Sequence, residues 1–156
     1  MEFHVRSARL TDVDAAIRII VRDQARPGEQ RDDADRLRSL LFVPAATVVV
    51  AEAERRVIGV GVLSIRPSVR SGPFVGVIDE LGLIGPEGSV ERAAGDADAA
   101  GRDQVGSAIL EHLIASARNK GCAVVEVTDP LAAAEPTLLS AAGFAQRGAL
   151  LSRAIA

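Results

Sequence analysis

"TVVVAEAERRVIGVGVLSIRPSVRSGPFVGVIDELGLI", residues Thr47 to Ile84, decides how this chain is read. Three apolar runs, Thr47–Glu52, Val57–Ile65 and Phe74–Ile84, are rich in β-branched residues. A polar turn at Glu54-Arg55-Arg56 separates the first two, and a stretch rich in Pro, Ser and Gly from Pro67 to Pro73 separates the last two. Runs of this length bounded by turn residues are strands, and connections this short join antiparallel neighbours. The middle of the chain is therefore an antiparallel meander.

On the N-terminal side, Glu2 to Arg9 alternates, with Phe3, Val5 and Ser7 on one face, and predicts a first strand. Thr11 followed by Asp14 resembles a capping box, and Val13, Ala16, Ile17, Ile20 and Val21 continue at helical spacing until Arg26-Pro27-Gly28 stops them. A second helix fits Asp32 to Phe42, with Leu37, Leu40 and Leu41 on its apolar side and Pro44 closing it. On the C-terminal side, Gly85 to Asp103 is rich in Ala, Gly and acid with no steady period and reads as a surface loop. A helix is predicted from about Gln104 to Asn119, with Val105, Ala108, Ile109, His112 and Leu113 as one stripe. Then come a strand from Cys122 to Thr128, a short helix from Glu135 to Ala142, and a final strand from Phe144 to Ile155. The order β-α-α-β-β-β-α-β-α-β gives an α/β (α+β) class: one domain over residues 1–156, a central mixed sheet with helices on both faces, and a parallel crossover from Phe74 to Thr128.

Composition narrows the function. The chain has 156 residues and a net charge of −3, which argues against a nucleic-acid partner bound through its phosphates. It has no Trp or Tyr and four Phe, too few aromatics for base-stacking platforms. No stretch approaches membrane-spanning length and the N-terminus lacks a signal-like apolar run, so a cytoplasmic protein with no membrane partner is expected. The single Cys122, at the head of a strand, reads as a packed small hydrophobe. His112 reads as a packed helix residue and His4 as peripheral; neither has metal-ligand spacing, and no metal is expected. Arg66 and Arg70 flank the second turn and read as a solvated hairpin tip.

The co-linear set "VRSARLTDVDAAIRII", "VVVAEAERRVIGVGVLSIRP", "VIDELGLI", "VGSAILEHLIASARNKGCAVVEV" and "LLSAAGFAQRGALLSRAI" resembles the GNAT superfamily of acyl-CoA N-acyltransferases over essentially the whole chain. The resemblance implies direct transfer of an acetyl group from acetyl-CoA to a small-molecule or peptide amine. The family's cofactor loop, Arg/Gln-x-x-Gly-x-Gly/Ala, places backbone amides and a helix N-terminus on the pyrophosphate. Anchored on Gly106, the pattern puts Gln104 where a glycine stands and Gly101 at the basic position, with Arg102 one place late. Either Gln104 replaces the glycine, or one residue is deleted and Arg102 still serves. The implied cofactor contacts are then Arg102, Gln104, Val105, Gly106 and Ser107, with the amides of Leu83 and Ile84 on the pantetheine arm.

For the chemistry, Asp79 and Glu80 are the candidate general bases, Glu80 preferred. Neighbours on a strand point to opposite faces, so one of them should reach the substrate unless a bulge near Gly82 re-aims them. The Tyr that many family members place before the final Gly-Phe falls on Leu139, beside Ser140, which leaves water to protonate the leaving thiolate. The final strand suggests a homodimer. The alternative function is a non-catalytic binding or dimerisation module of the same fold with impaired CoA binding.

Overall fold

In the computed structural model, which describes residues 2–21, 29–84, 96–148 and 151–155, the meander forms the middle of a five-stranded sheet. The strands are β1 (His4–Ser7), β2 (Ala46–Ala53), β3 (Arg56–Pro67), β4 (Phe74–Leu83) and β5 (Cys122–Val127), in that spatial order. β1 to β4 pair antiparallel, and β5 joins β4 in parallel. Between β2 and β3 the loop is two residues long, Glu54 and Arg55, both at positive φ. That hand matches the twist of the flanking strands.

Helices cover both faces. α1 (Val13–Ile20) and α2 (Glu29–Leu40) lie on one face, where Val13, Ala16, Ile17, Ile19 and Leu37 pack on Val48, Val50, Val60 and Val62. α3 (Asp96–Asn119), with the short α4 (Leu131–Ala134) and α5 (Pro136–Ala141), covers the other. There Val105, Ile109, Leu110, Leu113 and Ala117 are buried against Val49, Ala51, Leu63, Ile78 and Leu83. The strand alternation thus divides β2 and β3 between two cores, as a sheet sandwiched by helices requires.

Two glycines let α3 come close. A Cβ on Gly61 would stand 2.6 Å from Ile109 Cγ2 and 2.9 Å from Leu113 Cδ1, and one on Gly59 would stand 2.8 Å from Ile109 Cδ1. Glycine within a strand marks such an approach. Gly61→Ala is expected to overpack this layer, costing about 2 kcal/mol and lowering Tm by roughly 4–8 °C in a calorimetric melt. An unchanged Tm would mean that the helix is free to ride outward.

Several sequence expectations are corrected. The turn into α1 is organised by Asp12, whose Oδ2 accepts the Arg9 N–H at 2.7 Å, and not by Thr11 with Asp14. Ile19, absent from the expected stripe, is buried. His112 is exposed, because Leu110 rather than His112 completes the buried face of α3. α3 starts at Asp96, eight residues before the expected Gln104, so the loop predicted up to Asp103 holds two further helical turns. The rest of that segment, and the stop at Arg26-Pro27-Gly28, lie outside the described residues. No strand forms among the described residues of 144–155; Leu151 and Ile155 are 92% and 95% exposed, and the outer edge of β5 has no strand beside it. The alternation there is real, but alternation alone does not make a strand: the described residues of this segment do not pair with the open edge of β5.

Candidate active site

The site is built by one irregularity in β4. Opposite β3, Glu80 pairs with Val62 and Ile78 pairs with Leu63, so Asp79 is an extra residue, a β-bulge. Ile78 before it and Leu81 and Leu83 after it pack in the α3-side core. Asp79 receives a hydrogen bond from Ser64 Oγ at 2.5 Å, and Ser64 shares its face with Val60 and Val62, on the α1 side. Gly82, two residues beyond Glu80, faces Ile19 of α1, so Glu80 points the same way. The two carboxylates therefore share a face. The expectation of opposite faces is corrected by a bulge that sits at Asp79, three residues before the position considered at Gly82.

The same point is where the sheet opens. β4 pairs with β5 from Phe74 to Ile78, the last pair being Ile78 with Val127, and β4 then runs on to Leu83 without it. Beyond the bulge, the Ile84 N–H is donated to the Ile58 carbonyl at 3.0 Å. The alternation of an antiparallel ladder then turns the amide of Leu81 to the other edge, toward the wedge that β5 leaves. The Ile84 amide, expected on the pantetheine arm, is thus taken by β3 in this structure.

Burial pushes the Glu80 carboxyl above its ordinary range, and the charges of Asp79 and of Asp33 on α2 push it the same way. Glu80 remains open to solvent at its edge, so it is reachable as well as desolvated. That combination suits a group that must take a proton near neutral pH. Asp33 also accepts a hydrogen bond from Arg36 at 2.8 Å.

At the mouth of the wedge stands the N-terminal half of α3. Gln104, Val105, Gly106 and Ser107 lie inside that helix, where their amides face helical carbonyls, and not in a loop that turns them on an anion. Val105 is buried in the core. Gly106 faces inward: a Cβ there would stand 2.6 Å from Leu138 Cδ2 and 2.9 Å from Leu83 Cδ1. Its glycine serves close packing of α3 on β4 and α5. Gln104 lines a shallow hollow of about 640 Å³ with Phe3, Glu52 and Arg55, away from the carboxylates. A second hollow of about 630 Å³, between α1 and α2, also lacks Asp79 and Glu80.

Arg102 grips Glu135, the residue between α4 and α5, with both arms of its guanidinium, and this contact holds the guanidinium charged. Leu139, at the family's Tyr position, is buried, and Ser140 is exposed. Cys122 is part-buried, and burial pushes its thiol up, away from reactivity. Arg66 bonds Glu126 of β5 at 3.3 Å, so that turn is tied to the sheet. No group of three or more His, Cys, Asp or Glu among the described residues could hold a metal ion. Sequence reading missed Ser64, Asp33 and Glu135, which act across 15, 47 and 33 positions from their partners Asp79, Glu80 and Arg102, and no local spacing could have found them.

A mixed sheet opens here beside a desolvated carboxylate, with a helix packed at the opening. The chain belongs to the acetyltransferase (GNAT) family, whose sequence profile matches residues 15–144, and is an acyl-CoA-dependent N-acyltransferase. Solved structures agree on the fold. A glucosamine-6-phosphate N-acetyltransferase from Arabidopsis thaliana superposes with a TM-score of 0.73 at 15% identity, covering 100% of both chains. Aminoglycoside N-acetyltransferase AAC(6')-Iy, solved with CoA, gives a TM-score of 0.71 at 19% identity over 99% of this chain and 95% of its own. A protein described as a transcriptional regulator from Bacillus halodurans C-125 gives 0.76 at 15%, over 99% of this chain and 100% of its own. No curated protein matches the chain in sequence. No helix among the described residues is long and apolar enough to cross a membrane.

Proposed function

We propose that the protein transfers an acetyl group from acetyl-CoA to a primary amine of a small molecule or peptide, with Glu80 as the general base. The observation that carries this reading is the bulge, which brings Asp79 and Glu80 to one face at the point where β4 parts from β5. The donor's amide-bearing arm fits the edge of β4 at Leu81, and Arg102 is the cation for its phosphates. Of the four expected helix contacts, Gln104 to Ser107, the amides become available only if α3 unwinds to Gln104; we keep them as contacts of the bound state.

The chemistry follows from the acceptor side. The incoming ammonium loses a proton to the Glu80 carboxylate, directly or through one water, and the neutral nitrogen attacks the thioester carbonyl. The attacking nitrogen gives its second proton to water as the carbonyl–sulfur bond breaks, and the leaving thiolate takes a proton from water, since Leu139 offers none. Asp79, fixed by Ser64, keeps Glu80 basic and adds attraction for a cationic acceptor. A cytoplasmic setting goes with this reading. So does one domain over 1–156, and a homodimer formed at the open edge of β5.

Calorimetric titration with acetyl-CoA tests the donor. Binding in the micromolar range, followed by thiol release with a panel of primary amines, is expected. No heat at near-millimolar donor would leave the non-catalytic module as the better account.

A further inference from the structure

The proposed chemistry takes Arg102 for the donor's phosphates but gives no role to Glu135, which holds that guanidinium with two hydrogen bonds. Arg102 Nη1 lies 3.3 Å from Glu135 Oε2 while Nη2 bonds Oε1, and the two side chains are only 21% and 13% exposed. Arg102 is also the one cation between Asp96 and Glu111, so no other charged side chain on this half of α3 can meet an anion. Asp103 adds a second carboxylate 3.9 Å from the same guanidinium. A guanidinium presents a planar fork that fits one carboxylate or one phosphate at a time. The corner that carries Glu135 rests on α3 a second time through Leu138, which fills the space left by Gly106.

We propose that Glu135 is an internal competitor for the donor's pyrophosphate, lowering the affinity of the site for donors that carry it. Its carboxylate occupies the Arg102 fork in the free protein, and a phosphate-bearing donor displaces it. This rests on the acyl-CoA reading above and adds to it a residue that sets how much donor the site demands. A donor analogue without phosphates has nothing to exchange with Glu135 and is indifferent to it.

The test is calorimetric titration of CoA, and separately of pantetheine, into the full chain and into Glu135→Gln, Arg102→Gln and the double variant. Glu135→Gln is expected to bind CoA roughly five- to tenfold more tightly, although it loses a stabilising contact and melts lower. Arg102→Gln is expected to bind CoA about tenfold more weakly, and the double variant to behave like Arg102→Gln. Pantetheine affinity should be the same in all four. A purely structural pair would make Glu135→Gln bind CoA more weakly or equally, and that result overturns the proposal. So does an equal gain for pantetheine. If Arg102→Gln leaves CoA affinity unchanged, the proposal falls while the donor reading stands. If neither the parent chain nor Glu135→Gln binds CoA, both fall, whereas binding by Glu135→Gln alone supports the proposal. Should Glu135→Gln fail to fold, Glu135→Asp, one methylene shorter, is expected to tighten CoA in the same direction by a smaller factor.

Discussion

Glu80→Gln is expected to lower kcat/KM by roughly 10²- to 10³-fold with any amine acceptor that supports turnover. The substitution keeps the shape and removes only the ability to take a proton, so donor affinity should change by less than about twofold. The pH dependence carries the sign. A base works when deprotonated, so activity falls as pH drops through the Glu80 pKa, which desolvation, then Asp79 and Asp33, hold above the ordinary carboxylate range. Asp79→Asn removes one of those charges and should move the acid limb to lower pH, at a smaller cost in rate. Initial rates of thiol release, read from about pH 5 to about pH 9, separate the two carboxylates. If Asp79→Asn abolishes turnover and Glu80→Gln does not, the roles are reversed. If neither matters, the base lies elsewhere.

The two-residue stretch Asp79-Glu80 was legible as a candidate, but its geometry was not. Whether both carboxylates share a face depends on the register against β3, in which Glu80 meets Val62 and Ile78 meets Leu63. Nothing in "VIDELGLI" distinguishes a straight strand from a bulged one. By contrast, the meander and the buried stripe of α3 were readable because apolar period and turn residues act locally. The roles of Gly59 and Gly61 came only from the fold, which brings Ile109 against the face on which each stands.

What failed to read was long-range or conditional. The N-terminal extension of α3 has no apolar period to announce it, because residues from Asp96 to Asp103 are mostly Ala, Asp and Gly. Gly106 looked like part of an anion loop, but its neighbours Leu83 and Leu138 show it serving packing, a use that the same letter cannot reveal. The expected final strand has the right alternation, but its described residues leave the edge of β5 unpaired. Arg102 was placed by pattern, and its grip on Glu135 emerged only from the fold.

Asp12→Ala is expected to destabilise the fold by about 3 kcal/mol, or roughly 6–12 °C in Tm. Asp12 is a buried charged residue at the junction of β1 and α1. Its two oxygens accept from Arg6 Nη1 at 2.7 Å and Nη2 at 3.0 Å, while Oδ2 also accepts the Arg9 N–H at 2.7 Å. Arg6 reaches on to Glu52 of β2, with Nε at 2.9 Å, so one guanidinium ties the first strand, the turn and the second strand together. Removing Asp12 leaves that guanidinium part-buried with half its counter-charge, and removes the acceptor that ends the turn. Because Glu52 remains, the loss is smaller than for a fully stranded charge. Asp12→Asn keeps the acceptor for Arg9 without the charge, and should cost about half as much. The pH dependence is fixed by sign. The hydrogen bonds from Arg6, ahead of that from Arg9, hold the folded carboxyl below its unfolded value despite its desolvation. Its contribution is therefore complete above about pH 4, the unfolded range of an aspartate, and is lost as pH falls through the lower folded value. Denaturant midpoints measured from neutral to acid pH should converge for the parent chain and Asp12→Asn at the acid end. Parallel curves across that range would mean that Asp12 acts by packing and not by charge.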